Sequence, residues 1–333
     1  MAPDDISTRT TAKTGASTPL KLRLAIAEYD RTRPLIDGRV RPEGIVLETA
    51  SPHIAEFCNR PVYEEFDIAE MSFSLYVAAR GRGEPVIALP IFPLRMAVLA
   101  YVFCRADAPY RSPAELKGKR IASIGYRYTV NLWLRGIFKE HYGLAPEDVT
   151  WVTRAPENAG FVMPKGIKVE IVPNRTPGQL LIDGEVDAVI GPEAPDEYLN
   201  GDPRIRRIFP DARAECASFS RKVGFFPVTH TVVMSEASLK ARPWVAEPLV
   251  NAFREAERQT DAFYFANAKH TLFPDAVFFL EDERRVWGDN AWPQGVAANR
   301  AMVDTFVRYA HEQSYIPRRF SVEELFAANT LHT

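Results

Sequence analysis

Arg111-Ser112-Pro113-Ala114-Glu115-Leu116-Lys117-Gly118-Lys119-Arg120-Ile121-Ala122-Ser123 is the stretch that sets the architecture of this chain. Ser112 is a helix N-cap, Pro113 suits the first helical position, and Glu115 completes a capping box at N3. Gly118 stops the helix after one or two turns. Lys119 to Ser123 then reads as a strand, and a second lobe begins at Ser112. The chain has 333 residues, more than one hydrophobic core usually supports, so two lobes are expected.

Working outward, the first lobe opens with an alternating strand, Leu22 to Ala27, that ends at Glu28-Tyr29-Asp30-Arg31-Thr32-Arg33-Pro34. Ile45–Leu47 is a second strand, and Pro52–Arg60 reads as a helix. Phe66–Ala69 is a third strand, running into Met71-Ser72-Phe73-Ser74 and a helix through Ala79. Val86–Leu89 is a fourth. Val98–Cys104 reads as a continuous strand crossing out of the lobe. The second lobe holds a strand at Arg120–Ile124, a helix at Val130–Tyr142, strands at Thr150–Val152 and Val169–Val172, a helix at Pro177–Asp183 and a strand at Ala188–Ile190. Val228–Met234 returns to the first lobe. Helical stretches follow at Val245–Asn267 and Gly295–Glu312, and a second capping box at Ser321-Val322-Glu323-Glu324 predicts a terminal helix. The expected division is a disordered leader at 1–19, lobe one at 20–108 plus 226–333, and lobe two at 109–225. Short buried strands alternating with helices argue a parallel α/β sheet.

The composition fits a soluble globular protein, with 46% hydrophobic and 25% charged residues. A net charge of -2 shows no basic excess, which argues against nucleic acid as the main partner. Residues 1–19 are polar, carry Asp4 and Asp5, and contain no apolar signal core, so the expected location is the cytoplasm. No apolar run approaches the roughly 20 residues of a membrane span, and no membrane partner is expected. Cys58, Cys104 and Cys216 are scattered, which fits buried thiols in a reducing compartment. No HExxH or other ligand spacing appears, so neither metal nor cofactor is expected. Homo-oligomerisation is compatible with all of this.

Ligands of open parallel sheets sit beyond the carboxyl ends of strands. That rule selects Tyr29 to Arg33, then Ser72 and Ser74, then Gly125 to Asn131. These loops carry Tyr29, Arg31, Arg33, Ser72, Ser74, Tyr126, Arg127, Thr129 and Asn131, with Arg95 past the fourth strand and Arg135 further along the helix face. Arginine makes paired bonds to carboxylate, so these are the candidate substrate-binding residues. Thr129 is the expected N-cap of its helix, whose start offers N–H groups to an anion. His230 stands in the strand Val228-Thr229-His230-Thr231-Val232-Val233, beside the expected hinge. A partly buried histidine near a carboxylate titrates close to neutral pH and acts as a general acid, so His230 is the candidate catalytic residue. The plainer alternatives are a satisfied core histidine and surface ion-pair arginines. Glu70, Tyr126 and Glu193 are the next acids in order.

The capped helix feeding Leu116–Ser123 resembles the opening of the second lobe in type 2 periplasmic solute-binding proteins. Further segments resemble the 4,5-dihydroxyphthalate decarboxylase family more closely. They are Tyr29–Val40, Phe66–Ser74, Tyr128–Gly136, Asp183–Pro192, Gly224–Val233, Trp292–Arg300 and Val322–Phe326. Ala69, Met71 and Thr229 depart from that pattern. The resemblance implies a two-lobe type 2 periplasmic-binding-protein-like fold with a ligand cleft at the hinge. It also implies a cofactor-independent decarboxylase of a hydroxylated aromatic dicarboxylate. A ring hydroxyl para to the leaving carboxylate would push electrons to the carbon that a general acid protonates, while arginines hold the carboxylate that stays. The alternative on the same fold is a non-catalytic binding protein for a small aromatic or sulfonate-type acid. A self-consuming pyrimidine synthase would need a Cys/His-rich iron site, which three scattered cysteines do not offer.

Overall fold

Alternation in the first strand buries Leu22 and Leu24 while Lys21 and Arg23 face water, the mark of a strand near a sheet edge. The structure is a computed structural model that describes residues 18–58, 61–157, 161–288, 290 and 292–333. Of the expected leader, only Thr18 and Pro19 lie within the described residues.

The strands in chain order are β1 (Leu20–Ala25), β2 (Ile45–Ala50), β3 (Ile68–Ser72), β4 (Val86–Arg95), β5 (Val102–Arg105), β6 (Arg120–Ala122), β7 (Thr150–Thr153), β8 (Lys168–Ile171), β9 (Ala188–Ile190), β10 (Ile205–Arg207) and β11 (Val228–Ser235). They form two sheets, ordered β2-β1-β3-β11-β4 and β10-β5-β9-β6-β7-β8. β1 pairs parallel with β2 and β3, and β11 runs antiparallel between β3 and β4. β3 is therefore central, and all five of its residues are buried. The chain crosses between the sheets twice, and each sheet carries helices on its faces, so two α/β lobes meet at a hinge.

The predicted turn at Ser112 is present as a single 3₁₀ turn, Pro113–Leu116, with both capping-box bonds formed. Gly118 follows at φ +75°, a left-handed conformation that disfavours a side chain. Val98–Cys104 is not one strand. Val98–Tyr101 is a 3₁₀ turn and only Val102–Arg105 is extended. β5 pairs with β9 and β10, so the first crossing precedes Val102 rather than residue 108. Ser321 starts no helix. Glu324 accepts from the Ser321 N–H, but Phe326 and Ala327 are drawn onto β4 at Ala88, and burial of Leu325 and Phe326 overrides the capping signal. Of the predicted helix at Pro52–Arg60, Ile54–Cys58 forms a 3₁₀ turn, and residues 59 and 60 lie outside the described residues. The last long helix begins at Arg300, not Gly295. Sequence periodicity missed β10 and the helices Ala212–Val223 and Ala276–Trp287, in which apolar positions are too few or too exposed to form a clean stripe.

Candidate active site

Glu70 is the fully buried acid of the central strand. β11 lies antiparallel beside β3 with His230 opposite Ser72, which puts His230 diagonal to Glu70. His230 Nδ1 lies 2.6 Å from Glu70 Oε1, and the ring is almost wholly buried. The Tyr29 hydroxyl, beyond the end of β1, donates to the same oxygen at 2.6 Å. The Ala27 N–H donates to Oε2 at 2.9 Å. Glu70 thus accepts from three donors, two on the segment after β1 and one on β11, so Nδ1 is the donor in its bond with His230. The proton that His230 gives or takes is then the one on Nε2.

The next shell joins the two lobes. Ser72 and Thr129 share a hydrogen bond of 2.8 Å, and the Ser74 N–H donates to Thr129 Oγ1 at 3.0 Å. Ser74 Oγ donates to the Arg127 carbonyl at 3.0 Å. Thr129 is therefore the first residue of the helix Thr129–Tyr142 and not its cap. Tyr128 holds the cap position and makes no side-chain cap bond. The Thr129 hydroxyl, expected to bond its own helix, is used instead as an inter-lobe clasp. Arg127 Nε lies 3.2 Å from Glu157 Oε2, and both side chains are mostly buried. Arg31 Nε donates to the Pro93 carbonyl at 2.7 Å. Its guanidinium is held between the rings of Tyr29, at 4.3 Å, and Trp292, at 4.1 Å.

Comparison with known proteins gives this arrangement a context. The chain is 34% identical over 330 residues to the 4,5-dihydroxyphthalate decarboxylase of Comamonas testosteroni, covering 94% of this chain and 98% of that one. The chain belongs to the 4,5-dihydroxyphthalate decarboxylase family. A relative of the same name from Pseudomonas putida is 34% identical over 216 residues, covering 62% of this chain and 83% of that one. No family model matches. Among solved structures, the aliphatic sulphonate binding protein SsuA of Escherichia coli aligns with a TM-score of 0.54 at 14% identity, over 92% of both chains. A putative sulfonate-binding SsuA from Methylobacillus flagellatus KT aligns with 0.57 at 16% identity, over 95% of this chain and 94% of that one. These likenesses establish the periplasmic-binding-protein-like fold.

Within this family member, the candidate residues fall into two groups. Tyr29, Arg31, Ser72, Ser74, Arg127, Thr129 and His230 gather where the ends of β1 and β3 meet the start of the helix Thr129–Tyr142. Arg33, Arg135, Tyr126, Asn131 and Arg95 do not join them. Arg33 forms an exposed ion pair with Glu28. Arg135 is 1% exposed and is no carboxylate grip, because each of its three guanidinium nitrogens already donates to a neighbouring group. It donates to Gln313 Oε1 at 2.8 Å, the Tyr126 carbonyl at 2.8 Å and the Tyr315 hydroxyl at 2.7 Å. The Tyr126 ring lies 3.7 Å beneath it as part of that core. Asn131 Nδ2 donates to Ser123 Oγ and the Gly125 carbonyl, both at 2.6 Å, and so holds the loop before its helix. Arg95 lies in the hinge. Arg135→Ala should therefore cost roughly 3 kcal/mol or more of stability, by stranding buried acceptors. Chemical denaturation should show that loss while KM of the surviving fold stays near wild type.

Sequence reasoning ranked Glu70 only as a fallback acid. The available signal was a lone acid in an otherwise apolar or small-residue strand, matched by a lone histidine in a second such strand. Among the described residues no group of three or more His, Cys, Asp or Glu is placed to hold a metal ion. Among them, too, no helix is long and apolar enough to cross a membrane.

A further acid missed by the sequence is Glu257. With Arg31 and Trp292 it lines a cavity of about 530 Å³. Burial pushes its carboxyl from the ordinary 4.5 up to about 7, against a hydrogen bond from Gln294 and the nearby Arg95 and Arg31. The folded protein holds this proton where the unfolded chain releases it. Its stabilising contribution is complete below about pH 4.5 and fades as pH rises through 7. Glu257→Gln should raise Tm at pH 8 and leave it nearly unchanged at pH 4.5, a difference that scanning calorimetry would read.

Proposed function

We propose that this carboxy-lyase family member decarboxylates a hydroxylated benzene dicarboxylate of the 4,5-dihydroxyphthalate type, releasing carbon dioxide and the corresponding hydroxybenzoate. The observation that carries the reading is the Glu70–His230 pair, a buried carboxylate and imidazole beside the ends of β1 and β3 where the lobes meet. In this reading His230, protonated and steadied by Glu70, delivers the Nε2 proton to the ring carbon bearing the leaving carboxylate. A ring hydroxyl para to that carbon supplies the electron density. The C–H bond forms, aromaticity is briefly lost, and cleavage of the C–C bond returns the electron pair to the ring as carbon dioxide departs.

Arg31, which lies 3.1 Å from Asp30, and the first turn of the helix Thr129–Tyr142 would hold the carboxylate that remains, while Arg127 is taken up by Glu157. A tight hold on the departing one would stabilise the ground state and slow the step. The inter-lobe hydrogen bonds of Ser72, Ser74 and Thr129 would help keep the lobes together and exclude water.

The test is carbon dioxide release from 4,5-dihydroxyphthalate, 4-hydroxyphthalate, phthalate and a panel of hydroxybenzoates, with and without chelator. Turnover should require a dicarboxylate ring with a hydroxyl para to a carboxylate. Equal turnover of hydroxybenzoates, or none of any member, would overturn the reading. The same reading places the enzyme in the cytoplasm. Recovery of a periplasmic form cleaved near residue 19 would contradict that.

A further inference from the structure

The hinge holds a half-open cavity of about 550 Å³ that neither Glu70 nor His230 lines. Its walls come from both lobes and both crossovers. Arg95 and Ala100 lie at the first crossing, Phe226 at the second, Arg207 and Arg213 on the second lobe, and Trp287 and Trp292 on the segment after β11. Three arginines line it against one carboxylate, Glu283, which pairs with Arg213 at 2.9 Å.

Arg95 is only 5% exposed. Its terminal nitrogens donate to the Phe226 and Pro293 carbonyls, at 3.1 and 2.6 Å, and to Asn299 Oδ1 at 2.6 Å. Its Nε is buried with no hydrogen-bond partner. Arg207 donates to the Ala100 carbonyl and the Tyr198 hydroxyl, both at 2.9 Å. Among the described residues neither arginine has a carboxylate within ion-pair distance, although Glu257 acts on Arg95 from further off. Arg95, a desolvated cation whose hydrogen bonds all go to neutral groups, favours a further anion nearby, and the half-buried Arg207 adds a second positive charge to the same wall. Phe226 and Trp287 meet edge to face with ring centroids 4.4 Å apart, and Trp292 adds a third aromatic wall. The volume lies within the roughly 300–1,000 Å³ range of small-molecule sites.

We propose that this hinge cavity is a second binding site, separate from the Glu70–His230 centre, for a small aromatic carboxylate. The acid group is taken by Arg95 and Arg207, and the ring packs on Phe226, Trp287 and Trp292. Because the walls belong to both lobes, occupancy favours the lobe arrangement in which they converge.

The test is calorimetric titration of the full chain with phthalate, which lacks the ring hydroxyl that the proposed turnover needs. Wild type should show two binding events. Arg207→Gln should weaken one at least tenfold and leave the other. Ala100→Phe should fill the cavity and abolish the same event without removing a charge. His230→Gln should keep the hinge event. A single event in wild type that both cavity variants remove would uphold the hinge site while counting against the active-site reading. Binding that neither Arg207→Gln nor Ala100→Phe alters, or no binding at all, overturns the proposal.

Discussion

His230→Gln is expected to lower kcat by roughly 10²–10⁴, the usual worth of a general acid, with KM changed little. The histidine sits in a strand bonded on both sides, and glutamine keeps a hydrogen-bonding group for Glu70, so the fold should survive. Exchange of the product's ring proton in heavy water should fall in step, since it uses the same transfer in reverse. Rapid-quench turnover and proton NMR of the product would read the two effects together. A variant with near-normal kcat would make His230 a satisfied core residue, and protonation would have to come from another group.

The second large effect is at Glu70, a positioning residue that touches His230 and Tyr29. Glu70→Gln keeps the size and one acceptor oxygen but removes the charge 2.6 Å from the imidazole. The imidazolium that delivers the proton then loses the carboxylate that steadies it, so kcat should fall by about 10- to 1,000-fold with KM changed little. A purely structural glutamate would lower stability and leave kcat of the folded variant near wild type. Glu70→Leu is the contrast. It strands the Ala27 N–H, the Tyr29 hydroxyl and His230 Nδ1 in a buried strand, and roughly 3–5 kcal/mol of stability should go with them. Denaturation midpoints and steady-state kinetics of the two variants separate charge from packing.

Local chemistry made much of the fold readable in advance. The Ser112 capping box, the stop at Gly118 and the buried strand at Ala188–Ile190 are each encoded within a few residues. Where a local signal competed with distant burial, it lost. Ser321 has its capping residues, yet Leu325 and Phe326 are worth more against β4 than a helical turn is in water. Val98–Cys104 is apolar enough for a strand, but its first half turns because the chain must change sheets there.

The candidate site divides the same way. Loops beyond strand ends could be chosen from sequence, because strand direction in a parallel α/β sheet fixes which loops face the cleft. The fate of each arginine in or near those loops could not be chosen. Arg31, Arg33, Arg95, Arg127 and Arg135 are chemically alike. One is stacked between two rings, one is paired at the surface, one crosses the hinge, one meets Glu157, and one is sealed among Gln313, Tyr126 and Tyr315.

By itself the sequence determined two α/β lobes, the loops that line their junction, and a solitary histidine on the strand that returns to the first lobe. Only the tertiary structure decided that Glu70 is the partner of His230, 160 positions away along the chain. A strand's pattern records which face is buried. The register of two distant strands records which buried polar groups meet, and that register is set by the packing of the whole sheet.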